Sequence, residues 1–377
     1  MRTIPKAKQI LTKGEQKLLF FLFLFQPADK SLLRLVGNNY DFTGRQISSL
    51  FQKGYIEEIT ISPQYGKKEK VIQLTSLGTK IILPSVQLSN SLIQKNKNKI
   101  KGDENKYRQY KLTSLIELFT PIFPTYCSQF LNLENNLSNS KYNIEKESEN
   151  RASEGPFLLT SREIRDMDEY NLRKITSTRS QGVAVAENSI YILYNHNHKR
   201  MRSHGDFEEK FHIFTENNFP FKNISALHFG KSFKPAIDTL FKTNLNGREN
   251  FIMTKSIFQN HYFIPLTKNG SDQLQIYFIP DFRDRIKQSI LLPDEISGGQ
   301  NFVYDGVAEN GDILYLGFEC NVSEIEKVIY SMQMQKQNTG IRIYCFEHQA
   351  NFYRQIFKEK DTIIYPLKVN EVISSII

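Results

Sequence analysis

Residues 12 to 83 carry, in strict order, three helix starts, a hairpin pattern and a closing helix. Thr12-Lys13-Gly14-Glu15 is a capping box, because the threonine hydroxyl can accept from the amide of Glu15 while the glutamate carboxylate reaches back. The apolar run Leu18 to Phe25 that follows becomes the first helix. Asp29 can cap a short second helix, Lys30 to Val36, with Leu32, Leu33 and Val36 on its buried face. After a turn at Gly37 to Tyr40, Thr43-Gly44-Arg45-Gln46 repeats the capping-box pattern ahead of Ile47, Leu50 and Phe51. Gly54 then stands where a left-handed C-cap is wanted. Tyr55 to Ile61 and Val71 to Leu74 read as two strands around the polar turn Ser62 to Lys70. Thr75 or Ser76 can cap a last helix that ends near Leu83, before Pro84. This order predicts a winged helix-turn-helix over residues 12–85.

A helix from Gly44 to Lys53 that buries Ile47, Leu50 and Phe51 must turn Arg45, Ser48, Ser49 and Gln52 the other way. Arginine and glutamine can make paired hydrogen bonds to guanine and adenine edges in a major groove, and serine can reach bases or phosphates. The wing tip, with Tyr65, Lys67, Lys68 and Lys70, is suited to phosphates or the minor groove. The expected DNA-binding set is therefore Arg45, Ser48, Ser49, Gln52, Lys53, Tyr65, Lys67, Lys68 and Lys70, and the expected partner is double-stranded DNA. The competing reading is a protein-binding adaptor whose wing lysines are merely solvated.

The rest of the chain bounds what this module serves. At 377 residues the chain exceeds one core, and 40% hydrophobic residues are enough to build more than one. A net charge of +9 favours a polyanionic partner, nucleic acid ahead of a membrane surface. The three cysteines form no CxxC pair, so neither a disulfide framework nor a zinc site is expected, and a reducing cytoplasm fits. The longest apolar run has eight residues, and no signal peptide is visible, so a soluble protein without a membrane partner is expected. We divide the chain into a basic arm (1–11), the winged helix (12–85), a linker and helical segment (86–156) and a C-terminal α/β domain (157–377), an α+β protein in all. No repeat of fixed period is visible.

In that last domain, Phe302–Val307, Asp312–Cys320, Val322–Met334, Ile341–Phe346, Ala350–Lys358 and Thr362–Pro366 read strand, strand, helix, strand, helix, strand. The order resembles the core of the restriction-endonuclease-like superfamily, in which an aspartate on one hairpin strand and an acid-x-lysine on the next hold a divalent metal. Asp305 and Glu319 occupy those positions, but position 321 is Asn321 rather than lysine, with Lys327 as a possible substitute. A degenerate, structural lobe without cofactor is expected. The alternative is a magnesium-dependent endonuclease or nicking enzyme with Asp305, Glu319 and Lys327 as its catalytic candidates and the two acids as metal ligands. His196, His198 and His204, beside Tyr191 and Tyr194, raise a metal or relaxase reading, although a polar surface loop explains them more simply.

Three segments carry a further resemblance: Phe157-Leu158-Leu159-Thr160-Ser161-Arg162-Glu163-Ile164, Ser177 to Gly182, and Ile190-Tyr191-Ile192-Leu193-Tyr194-Asn195. With the winged helix ahead of them, they make the chain similar to the replication-relaxation family of plasmids and conjugative elements of low-GC Gram-positive bacteria. The Met-Lys-Trp segment usual in that family is replaced here by Lys199-Arg200-Met201. The resemblance implies a DNA-binding accessory or regulatory role in plasmid replication, relaxation or transfer. Replication or conjugation proteins are then expected as partners, and a homodimer would suit a palindromic site.

Overall fold

The computed structural model describes residues 11–37, 39–64, 67–85, 102–122, 157–160, 180–186, 189–199, 201, 223–241, 258, 260–292, 304–334, 340–358 and 361–376. It is a mixed α+β structure with two compact units, Met1–Asn143 and Ile144–Ile377. Among the described residues no helix is long and apolar enough to cross a membrane. Residues 1–10, the lysine-rich stretch 95–101, Tyr65, His204 and, of the residues behind the family resemblance, 161–164 and 177–179 lie outside the described set.

In the first unit, α1 (Lys13–Phe25) starts with the expected capping box: the Thr12 amide donates to Glu15 Oε2 at 2.8 Å and the Glu15 amide to Thr12 Oγ1 at 3.2 Å. Leu18 to Phe23 are all buried, as befits a helix that is apolar on every side. The second element is a 3-10 turn, Leu32–Val36, rather than an α-helix; its N-cap is Ser31 rather than Asp29, whose Oδ1 accepts from the Ser31 amide at 2.9 Å in the turn just before it. α2 (Tyr40–Gln52) begins earlier than the sequence pattern predicted. Its N-cap is Asn39, whose Oδ1 accepts from the amides of Asp41 (3.1 Å) and Phe42 (2.9 Å). Thr43 is instead buried inside the first turn, its hydroxyl donating to the Asn39 carbonyl at 2.6 Å. It sits so close to Gly37 that a Cβ there would fall 1.8 Å from its oxygen. Gly54, at φ +72°, ends the helix as expected.

Strands β1 (Ile56–Ile61) and β2 (Glu69–Leu74) pair antiparallel from Ile56↔Leu74 to Ile61↔Glu69, and Thr75 caps α3 (Ser76–Ile82). One core joins α1 to Leu33, Val36, Ile47, Leu50 and Ile72. The sequence reading placed a linker and helical segment over 86–156, apart from the winged helix, but α4 (Asp103–Phe119) packs on this core: Ile116 enters it, while Tyr107 and Tyr110 cover Ile61 and Val71. Full burial of Ile116 and Tyr110 contributes on the order of 1.5–3 kcal/mol each. The Tyr110 hydroxyl donates to Asp29 Oδ2 at 3.1 Å. At its N-terminus α4 holds the hairpin loop, Asp103 Oδ2 accepting from the Ser62 amide (2.9 Å) and Glu104 Oε1 from the Gln64 amide (2.6 Å).

Among its described residues the second unit contains two sheets. The first has strand order β3 (Phe157–Thr160), β4 (Gly182–Val185), β5 (Ser189–Asn197), β6 (Asn223–Gly230), β7 (His261–Pro265), with α5 (Lys234–Phe241) between β6 and β7. β3, β4 and β5 are antiparallel neighbours, and β5–β6 and β6–β7 are parallel. After β7 come α6 (Lys268–Leu274) and α7 (Phe282–Ile290). The second sheet has β8 (Gly306–Val307), β9 (Ile313–Leu316), β10 (Ile341–Phe346) and β11 (Thr362–Leu367) in spatial sequence, with α8 (Val322–Met334), α9 (Ala350–Ile356) and α10 (Val369–Ile376) following β9, β10 and β11. Here β8–β9 is antiparallel, and β9–β10 and β10–β11 are parallel. The predicted strand-helix alternation is thus present, with a shorter hairpin than expected. β7 meets the second sheet through a bridge at Tyr262↔Asn321, the Phe263 amide donating to the Cys320 carbonyl at 3.0 Å.

Candidate nucleic-acid interface

α2 presents the polar stripe foreseen from its spacing, with two departures. Arg45, Ser48 and Gln52 are exposed, opposite buried Ile47 and Leu50. Ser49 and Lys53 instead turn inward to α1: Ser49 Oγ donates to Glu15 Oε1 at 2.7 Å and Lys53 Nζ to the same oxygen at 2.6 Å. Glu15 is 2% exposed. Burial alone would raise its pKa, but hydrogen bonds from Lys53, the Thr12 amide and Ser49, with the charge of Lys53, hold it below the ordinary carboxylate value. Ser49 and Lys53 are therefore corrected from DNA contacts to residues that dock α2 on α1.

Lys67 and Lys68 are exposed at the hairpin tip, and Lys70 is exposed on β2, with Glu58 at 3.7 Å. So open a pair contributes little. Between α2, the 3-10 turn and the hairpin lies a concave surface lined by Lys30, Arg34, Arg45, Ser48 and Lys70 together with the acids Asp29, Asp41 and Glu58. Lys70 of the hairpin and Arg45 and Ser48 of α2 thus open on one concavity. Arg34 lies across the N-terminal half of α2, its guanidinium 4.3 Å from the Tyr40 ring centre and 3.6 Å from Asp41. Gly44 makes room for it, since a Cβ there would fall 2.4 Å from Arg34 Nη2. Nothing in the sequence pattern marks Arg34 or Lys30 for this surface, because neither lies on the helix that the periodicity singles out.

Charge divides unequally between the units. Lys and Arg outnumber Asp and Glu by 21 to 10 over residues 1–143, against 28 to 30 over residues 144–377. The basic excess of the chain belongs to the unit that carries α2 and the hairpin.

The other predicted residues lie elsewhere. Asp305 and Glu319 do come together, but around a guanidinium that the sequence did not indicate. Arg283 of α7 donates through Nη2 to Asp305 Oδ1 (3.1 Å) and through Nη1 to Glu319 Oε2 (3.0 Å) and Glu324 Oε2 (2.7 Å). Asp305 Oδ2 also accepts from the Leu316 amide at 2.8 Å. Burial pushes the Glu319 carboxyl up to about 7 against the opposing pull of Arg283. Lys327 is exposed on α8, and it is Glu324 that reaches the cluster.

His196 and His198 do not act as a pair. Asn197, at φ +57°, breaks the alternation at the end of β5, and His196 joins His228 of β6 (Nε2 to Nδ1, 2.8 Å), which joins His261 of β7 (Nε2 to Nδ1, 2.9 Å). Burial and the neighbouring histidines hold His228 well below the ordinary imidazole value, and burial pushes His261 down to about 4. Tyr191 is buried against Tyr262 and Tyr277, its hydroxyl donating to the Tyr277 carbonyl at 3.2 Å, so it is not presented as a nucleophile. Tyr194 is buried and stacks on His228. Comparison with family models, curated proteins and solved structures returns no match.

Proposed function

We propose that the first unit is a winged helix-turn-helix that binds double-stranded DNA. In this reading α2 enters the major groove with Arg45, Ser48 and Gln52, and Lys67, Lys68 and Lys70 follow the phosphates. The observation that supports it most directly is the concavity that Arg45 and Ser48 of α2 share with Lys70 of the hairpin, in the unit that holds the basic excess. Lys30 and Arg34 add two cations to the same surface. The resemblance to replication-relaxation proteins supports placing this binding in the replication, relaxation or transfer of a mobile element, as an accessory or regulatory factor.

Fluorescence anisotropy with duplex DNA at several salt concentrations tests the proposal. Binding should weaken steeply with salt, and Arg45→Ala should reduce affinity for a selected site by roughly 1–3 kcal/mol while leaving the fold intact. No duplex binding at low salt would refute it and favour a protein-binding adaptor, and an Arg45→Ala variant that binds duplex like the parent would refute the placement of α2 in the groove. Nicking of supercoiled DNA with magnesium, abolished by Asp305→Ala, would favour a nuclease.

A further inference from the structure

The second unit uses one arrangement twice. In both sheets an antiparallel pair feeds two parallel strands, and each last strand runs into a helix. The correspondence extends to single hydrogen bonds. In the first sheet Gly182 pairs with Leu193, the amide of the preceding residue, Gln181, donates to the Leu193 carbonyl (2.8 Å), and the Gln181 side chain accepts from the amide of Asn195 (2.5 Å). In the second sheet Gly306 pairs with Leu314, the Asp305 amide donates to the Leu314 carbonyl (2.9 Å), and the Asp305 side chain accepts from the amide of Leu316 (2.8 Å). Gln181 and Asp305 therefore hold the same place.

The far ends of the sheets agree as well. Pro265 stands opposite Gly230 and Pro366 opposite Cys345, each proline followed three residues later by the start of a helix. The local sequences are Pro265-Leu266-Thr267-Lys268-Asn269 and Pro366-Leu367-Lys368-Val369-Asn370. The spacing between copies varies along the chain, which hides the repeat from a search for a fixed period.

The endonuclease-like resemblance implies a divalent metal at Asp305 and Glu319, and the residues do not fit one. Asp305 spends one oxygen on the Leu316 amide and both on Arg283, and Glu319 and Glu324 close on the same guanidinium. A fixed cation already fills the centre where an ion would have to sit. The corresponding side chain in the other copy, Gln181, is neutral and does the same strand-clamping work.

We infer that the second unit is a tandem duplication of one lobe, in which Asp305 is the counterpart of the strand clamp Gln181 and Arg283 holds the place that a divalent cation would need. This inference is independent of DNA binding by the first unit. Two measurements on the full chain test it. Manganese uptake, followed by the electron paramagnetic resonance of the free ion at millimolar concentration, should be equal in the parent and in Asp305→Gln. One additional ion bound by the parent would overturn the inference. In thermal melts followed by circular dichroism, Asp305→Gln should lose less than half of the midpoint shift caused by Asp305→Ala, because glutamine can still accept from the Leu316 amide. Equal losses in the two variants would refute the equivalence with Gln181.

Discussion

Lowering the pH from 7 to 5 should destabilise the second unit through His261, and the effect can be worked from its burial. The ring is 1% exposed, Nδ1 faces His228, and Nε2 has no hydrogen-bond partner among the described residues. Burial pushes it down from 6.5 to about 4. The folded chain thus keeps the ring neutral at pH values where the unfolded chain protonates it. Stability is full above 6.5, falls as pH drops from 6.5 towards 4, and loses nothing further below that. For these two values the loss is about 0.2 kcal/mol at pH 7 and about 2 kcal/mol at pH 5. Glu319, pushed up to about 7, acts in the opposite sense over the same range, since its folded form takes up the proton first.

The clean comparison is therefore with His261→Asn, whose amide can still face His228 and which retains the Glu319 contribution. Denaturant unfolding of both chains at pH 7 and pH 5, followed by circular dichroism, gives the stability gap between them. All seven histidines lie beyond residue 143, so the transition that shifts by this route is that of the second unit. The gap should move by about 2 kcal/mol in favour of the variant on acidification. A gap independent of pH would refute the argument that this ring is neutral because it is buried.

Lys67→Ala with Lys68→Ala should reduce the dependence of log affinity on log salt by about 1.8, from two phosphate contacts at about 0.9 each, without altering sequence preference; an unchanged slope in a salt titration would exclude the wing from the interface. Lys53→Met should destabilise the first unit by roughly 1.5–3 kcal/mol, because it leaves a buried carboxylate without its charged donor, with DNA affinity at matched folded fraction unchanged; a loss of affinity alone would return Lys53 to the binding surface. Gly78→Ala should be destabilising by roughly 1–3 kcal/mol in chemical denaturation despite the better helix propensity of alanine, since overpacking opposes it. A Cβ at that position would lie 2.0 Å from the Tyr55 carbonyl oxygen.

The first unit was legible wherever the signal was local. Thr12 and Thr75 cap the helices their spacing assigned to them, and Gly54 turns the chain where the helix ends. The start of α2 was misjudged because Asn39 and Thr43 are both good caps, and only the burial of Thr43 against Gly37 decides between them. The double duty of Glu15 was illegible for another reason: its partners Ser49 and Lys53 lie 34 and 38 residues away and look like ordinary members of a polar stripe. In the second unit, Asp305 and Glu319 were found by position. Arg283 belongs to a helix that no motif marked, and His228 and His261 sit in apolar strands whose pattern shows burial but not pairing.

The attachment of α4 to the hairpin decides where the first unit can be cut. A fragment ending at residue 85 would strip the cover from Ile61 and Val71, leave Asp29 without the hydroxyl of Tyr110, and release the loop amides of Ser62 and Gln64. The smallest separable piece therefore extends past Phe119, and a force pulling on the chain beyond α4 acts first where Ile116 enters the core and reaches the hairpin loop only through the length of the helix.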